Sequence, residues 1–303
     1  MLNRYEHNGL TWVDLESPTR DEIVRTTAEF SLDPLVAEEL LLPSAKPRAE
    51  FAPGYLYTIM HFPALRHSHK TKTQEIDFIV GKNFIVTVHY DTIDPLHKFS
   101  KLFEVNSILD KSALGEHAGY LFFYLVKKLY RAVEHELEYV RHELESVENH
   151  IFSGEEVAMV SAISRSSRDL LNIRQTIEPH RDMLQELEAG GVQFFGEDFR
   201  QYLRALSNEY YRVHNHLMRS AESLRELRET NDSLLSTKQN ETMRILTIMS
   251  LLTFPLVLIV ALLSADISGN PLRTAHNGFL IIALSVFMGA LAMLSFFRYK
   301  KWL

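Results

Sequence analysis

Apolar residues follow three different patterns along the chain, and each pattern predicts a different kind of structure. In residues 1–100 they come as short β-branched and aromatic runs, Tyr55–Met60, Ile76–Val80 and Phe84–His89. Turn signals at Pro53-Gly54 and Gly81-Lys82-Asn83 separate them, which predicts strands paired as hairpins or a meander. Two helical pieces are interleaved: Thr19–Phe30 follows the Ser17-Pro18 start signal, and Pro34–Leu42 ends before Pro43.

From about Glu116 the period lengthens to that of an amphipathic helix. His135 to Glu148 is nearly a tandem heptad, which places Leu137, Val140, Leu144, Val147 and Ile151 on one seam. Gly154 predicts a break, a second helix is expected from Glu155 to about Glu188, and Gly190-Gly191 predicts another break. A third helix is expected to begin near Glu197-Asp198, where acids suit a helix N-terminus, and to continue to Ala265. At about 1.5 Å per residue that is a rod of roughly 100 Å. Its stripe of Leu203, Leu206, Tyr210, Val213, Leu217, Ala221, Leu224, Leu227 and Leu234 suits packing against the preceding helices or against copies of itself.

The third pattern is periodless. Ile245–Ala265 and Gly278–Phe297 contain no charged residue. Each approaches the ~20 residues that cross a hydrocarbon core of ~30 Å. Two membrane spans are therefore expected, although mean hydropathy over the whole chain is only −0.10. Arg225, Arg228, Lys238 and Arg244 precede the first span and Arg298, Lys300 and Lys301 follow the second, whereas the intervening loop carries only Arg273. This asymmetry predicts both termini in the cytoplasm and a multi-pass protein of the inner (plasma) membrane. The MLNRYEHNGL start does not resemble a signal peptide. The expected organisation is a mixed α/β domain over 1–115, a coiled-coil-like helical stalk over 116–244 and a transmembrane hairpin over 245–303.

Candidate chemistry is mostly removed by composition. With 0 cysteines there are no disulfides, zinc thiolates or Cys nucleophiles. A net charge of −7 without clustered Lys and Arg leaves no nucleic-acid footprint. His135-Glu136 begins like a zinc-protease motif, but Tyr139 stands where the second histidine is needed. His61, His67 and His69 fall close together, a grouping more typical of solvated histidines. Without a P-loop, G-x-G-x-x-G or G-x-S-x-G, neither ATP-driven transport nor hydrolysis has support, and no enzyme is expected.

The entrance to the first span reads Asn240-Glu-Thr-Met243-Arg-Ile-Leu246-Thr247, with Pro255 eight residues later. It resembles the start of the pore helix in the CorA family of divalent-cation transporters. Trp12-Val-Asp-Leu-Glu-Ser-Pro18-Thr19, Asp33–Glu39, Pro47-Arg-Ala-Glu50 and Glu75–His89 resemble that family's cytoplasmic domain, so the likeness covers essentially the whole chain. It departs at one place: the family's G-M-N tripeptide falls on Ser264-Ala265-Asp266, and the only Gly-Asn pair, Gly269-Asn270, comes four residues late.

The resemblance implies an α+β cytoplasmic domain, a long helical stalk and two C-terminal transmembrane helices, assembled as a homopentameric funnel in lipid. It further implies passive movement of divalent cations, Mg²⁺ above all, either as cargo or as regulator. Carried over residue by residue, the pore face is Asn240, Met243, Leu246, Ser250, Phe254, Val257 and Ala261, with Ser264, Ala265 and Asp266 at the outer mouth. Asp266 is the candidate metal contact, because a ring of carboxylates can hold Mg²⁺ through its waters; a helix end at the membrane interface explains a charge there equally well. Rings of Phe254 and Val257 are prone to dewetting. They leave open a second reading, a membrane-anchored oligomeric scaffold or sensor that no longer conducts.

Overall fold

The computed structural model describes residues 1–44, 46–64, 73–108, 117–265 and 276–300. They fall into two compact units, Met1–Glu229 and Thr230–Leu303.

The first unit is built on a six-stranded sheet: β1 (Leu2–His7), β2 (Leu10–Glu16), β3 (Arg48–Ala52), β4 (Tyr55–Pro63), β5 (Thr73–Gly81) and β6 (Phe84–His89). Their order is β1-β2-β6-β5-β4-β3, antiparallel throughout except for β2 beside β6. The two expected turns are present, Pro53-Gly54 between β3 and β4 and Gly81–Asn83 between β5 and β6. β1, β2 and β3 add to the three strands that the apolar runs mark. β4, β5 and β6 are covered on both faces, so almost every position is buried instead of alternating.

On one face lie α1 (Arg20–Glu29) and α2 (Pro34–Glu39), which enclose Val13, Leu15, Tyr57, Ile59, Ile79, Val86 and Val88 together with Ile23, Val36 and Leu40. Thr19 closes α1 with a capping box: its hydroxyl accepts from Glu22 N while Glu22 accepts from the Thr19 amide. Asp33 caps α2 by accepting from Leu35 N.

Helices α3 (Asp94–Ile108) and α4 (Ala118–Phe152) pack toward the other face, where Phe78 meets Phe122 and Phe62 meets Tyr130. Leu137, Val140, Leu144, Val147 and Ile151, the heptad seam, are all buried. α4 stops at Ser153, and Gly154 follows with φ of 97°.

The next stretch differs from expectation. It forms two helices, α5 (Glu156–Ile177) and α6 (His180–Phe195), parted at Glu178-Pro179 because proline cannot continue an established helical ladder. Gly190 and Gly191 do not break α6. They let it pack closely: a Cβ on Gly190 would stand 2.3 Å from the Phe51 ring, and one on Gly191 would stand 2.8 Å from Leu203. The break comes at Gly196, whose φ of 101° only glycine adopts readily. A short 3₁₀ turn, Glu197–Phe199, then leads into α7 (Arg200–Ser264). His117, Tyr120, Phe195, Phe199 and Tyr202 form one aromatic cluster around this joint.

The second unit holds the end of α7 and α8 (Gly278–Tyr299), the two helices long and apolar enough to cross a membrane.

Candidate functional site

The candidate site lies on the membrane-length part of α7. Its helix is uninterrupted through Pro255, which lacks the N–H to bond the carbonyl of Leu251. Thr242 and Thr247 donate their hydroxyls to the carbonyls of Lys238 and Met243, so both are satisfied within the helix.

Exposure sorts the helix into two sides. Ile248 is buried, and Leu252, Pro255, Leu256, Ile259 and Leu263 are partly covered. On α8 a matching stripe of Gly278, Ile282, Val286, Gly289, Met293 and Phe297 is covered or buried. The helices meet where Gly289 faces Leu256: a Cβ there would lie 3.2 Å from Leu256 Cδ2. Of the small residues Ser285, Gly289 and Ala292, Gly289 alone belongs to that stripe; Ser285 and Ala292 are exposed.

The expected pore residues occupy the opposite side. At about 100° per residue, Asn240, Met243, Leu246, Ser250, Phe254, Val257 and Ala261 all fall within roughly 60° of Met243. The covered residues centre about 180° away. All seven are exposed, Phe254 at 76%, Val257 at 58%, Met243 at 56% and Leu246 at 53%. The hairpin leaves this row without an intramolecular cover. Of the mouth residues, Ser264 ends α7, Ala265 follows it half-covered, and Asp266 lies outside the described residues.

A second group of polar residues lies in the first unit, and it includes His61, which is not solvated as its grouping suggested but bonded to buried Glu75; His67 and His69 lie outside the described residues. Glu75 is buried on β5, and both of its carboxylate oxygens accept from Ser44 N, at 2.9 and 2.7 Å. His61, directly across β4, places Nε2 at 3.1 Å from Glu75 Oε2 and 3.0 Å from the Ser44 carbonyl. A cleft of about 340 Å³ opens here, lined by Pro43, Ser44, His61, Thr73, Glu75 and Tyr90 among others. Asp77, two residues along β5, is fully buried, and burial together with the Glu75 carboxylate raises its pKa well above the usual carboxylate range. Among the described residues no group of three His, Cys, Asp or Glu side chains is arranged to hold a metal ion. The signals in the sequence were His61 and the alternation of two acids in an otherwise apolar strand, Glu75-Ile-Asp77; that the strands pair them was not legible.

Comparison with known proteins identifies the family and the fold. Residues 7–301 match the family model described as CorA-like Mg²⁺ transporter protein. The cobalt/magnesium transport protein CorA of Thermotoga maritima is 24% identical over 305 residues, covering 97% of this chain and 83% of the relative. A putative metal ion transporter of Bacillus subtilis, YfjQ, is also 24% identical, over 96% of this chain and 89% of the relative. The solved structure of the CorA magnesium transporter from Methanocaldococcus jannaschii superposes with a TM-score of 0.84 at 19% identity, over 99% of this chain and 93% of that one. The fold, the pair of C-terminal apolar helices and the family match agree: the chain belongs to the CorA-like family of divalent-cation transporters.

Proposed function

We propose that the chain is one subunit of a homopentameric channel that passes divalent cations, Mg²⁺ foremost, passively down their electrochemical gradient through a pore lined by α7. The observation that carries the reading is the exposed row from Asn240 to Ala261, which lies opposite the side packed on α8. A lone hairpin encloses no conduit, so a conducting state needs several copies around one axis. In that arrangement Asn240 and Met243 form the cytoplasmic entrance, and Phe254 and Val257 the constriction. Ser264, Ala265 and Asp266 form the outer mouth, with Asp266 attracting the hydrated ion. Both termini then lie in the cytoplasm.

Mg²⁺ sheds water reluctantly. The row offers it the Asn240 amide and Ser250 hydroxyl among otherwise apolar side chains, so the ion passes with its waters and the apolar rings act as a gate.

Proteoliposomes carrying an Mg²⁺ indicator test this. Influx above empty vesicles is expected, with Co²⁺ competing, and Asp266→Ala is expected to weaken cation capture at low concentration. Phe254→Ala is expected to raise flux by widening the apolar ring. Absence of Mg²⁺, Co²⁺, Zn²⁺ and Ni²⁺ flux at both low and high internal metal refutes conduction and leaves the scaffold reading, which the Phe254 and Val257 rings favour.

A further inference from the structure

Asp77 poses a problem that the transport reading does not use. It is fully buried on the face of β5 that α2 covers, and with both carboxylates ionised neither of its oxygens finds a hydrogen-bond donor. The groups that face it can be named from every element around it. Arg48 comes from β3, Tyr57 from β4, Glu75 from β5, Glu39 from α2, and Tyr90 from the end of β6. His61 on β4 reaches Glu75. Among these described groups only Arg48 is a fixed cation, and it already pairs with Glu39 and Glu50.

Glu75 has its hydrogen-bond donors in place. Ser44 N donates to both of its oxygens, and His61 Nε2, set between Glu75 and the Ser44 carbonyl, must carry its proton there because both neighbours are acceptors. Asp77 is the one that must change. As a neutral acid it gains an acceptor within reach, since its O–H can donate to Glu75.

We propose that Asp77 and Glu75 hold one proton between them, and that losing it on the alkaline side loosens the α2–Ser44 cover, making this corner of the first unit a pH-responsive latch. Loss of the proton leaves two buried carboxylates side by side beneath Glu39. Rehydrating them requires the cover to lift, because Glu75 is what pins Ser44, and Tyr90 Oη, donating to the Leu40 carbonyl, pins the end of α2. The 340 Å³ cleft beside Ser44 and Glu75 is where water enters.

The sign follows from linkage. The closed form binds a proton that the open form releases more readily, so opening becomes easier as pH rises, up to the point where Asp77 ionises in place.

The test is hydrogen exchange on the full-length protein in detergent, in mildly acidic and mildly alkaline buffer, corrected for the intrinsic pH dependence of amide exchange. Amides of α2 and Ser44 are expected to open more by up to about tenfold per pH unit within that window. Asp77→Asn, a neutral side chain of the same shape, is expected to abolish the slope, and Glu75→Gln to reduce it. A flat wild-type profile, or a slope that survives Asp77→Asn, overturns the proposal. Infrared spectroscopy on the unmodified protein decides independently of whether variants fold. The carbonyl stretch of a buried protonated carboxyl group is expected at neutral pH, and its absence overturns the proposal.

Discussion

The sheet of the first unit and the hairpin of the second treat the same kind of residue in opposite ways. Phe78 is completely buried between β5 and α4, whereas Phe254 on α7 and Phe279 on α8 are 76% and 87% exposed. Within one chain, the first unit covers its own apolar surface and the second does not. The difference matches two solvents: water around the sheet and its helices, and an apolar medium around the hairpin. Polar groups follow the same division. Those in the sheet interact across strands, such as the Trp12 indole donating to Thr87 and Thr87 to Asp14, while Thr242, Thr247 and Ser285 bond back to their own helices.

Substitutions can break this contrast or sharpen it. The largest effect is expected from Phe78→Ala, which should cost about 3–5 kcal/mol of stability by leaving a cavity. Phe254→Ala should shift the thermal unfolding of the first unit by less than about 0.5 kcal/mol, because that ring has no intramolecular packing to lose. Paired melts of the two variants in detergent make the comparison.

Next comes acid sensitivity. His180 is buried with Nδ1 against Tyr130 Oη at 2.9 Å, and burial lowers its pKa to about 3. The unfolded chain takes up a proton near the ordinary histidine value of ~6.5 and the folded chain does not. Stability is therefore intact above that value and falls as the pH drops toward 3. His180→Gln should flatten this acid limb in pH-dependent melts, while the Asp77 limb on the alkaline side remains.

Gly191→Leu should follow, at about 1–3 kcal/mol, because buried Leu203 stands where the new side chain must go. Gly190→Ala should be nearly neutral: the exposed Phe51 ring can swing aside, and alanine gains about 1 kcal/mol of helix propensity over glycine. Smallest of all should be Gly289→Ala in the hairpin, below about 0.5 kcal/mol, since Leu256 lies 3.2 Å away at the end of a movable side chain.

These glycines also show where the sequence could be read and where it could not. Turns at Pro53-Gly54 and Gly81–Asn83 were legible because local chemistry decides them. Gly190-Gly191 looked equally like a turn, yet tertiary packing against Phe51 and Leu203 reuses the same two residues inside a helix. Only contacts distant in sequence separate the two cases. The actual joint, Glu178-Pro179, carried a local signal that the apolar period of the flanking helices concealed. β1 was hidden because it is an edge strand of polar alternation, and the burial of Asp77 because an acid two residues from another acid normally marks a solvent face. The row from Asn240 to Ala261 was legible as a family pattern. Its position opposite the α8 stripe needed coordinates, since nothing in α7 alone says which side the second span will occupy.

Pro255 sits midway along the first apolar run, and the carbonyl it cannot serve belongs to Leu251. An oxygen left bare against acyl chains is penalised by several kcal/mol, so the Leu251 flank of the helix is a poor surface to present to lipid tails. In the assembly proposed above every subunit would carry this same mark at the same depth, and it would restrict how the helix can rotate about its own axis as copies gather: whatever their number, that edge would have to meet protein or water.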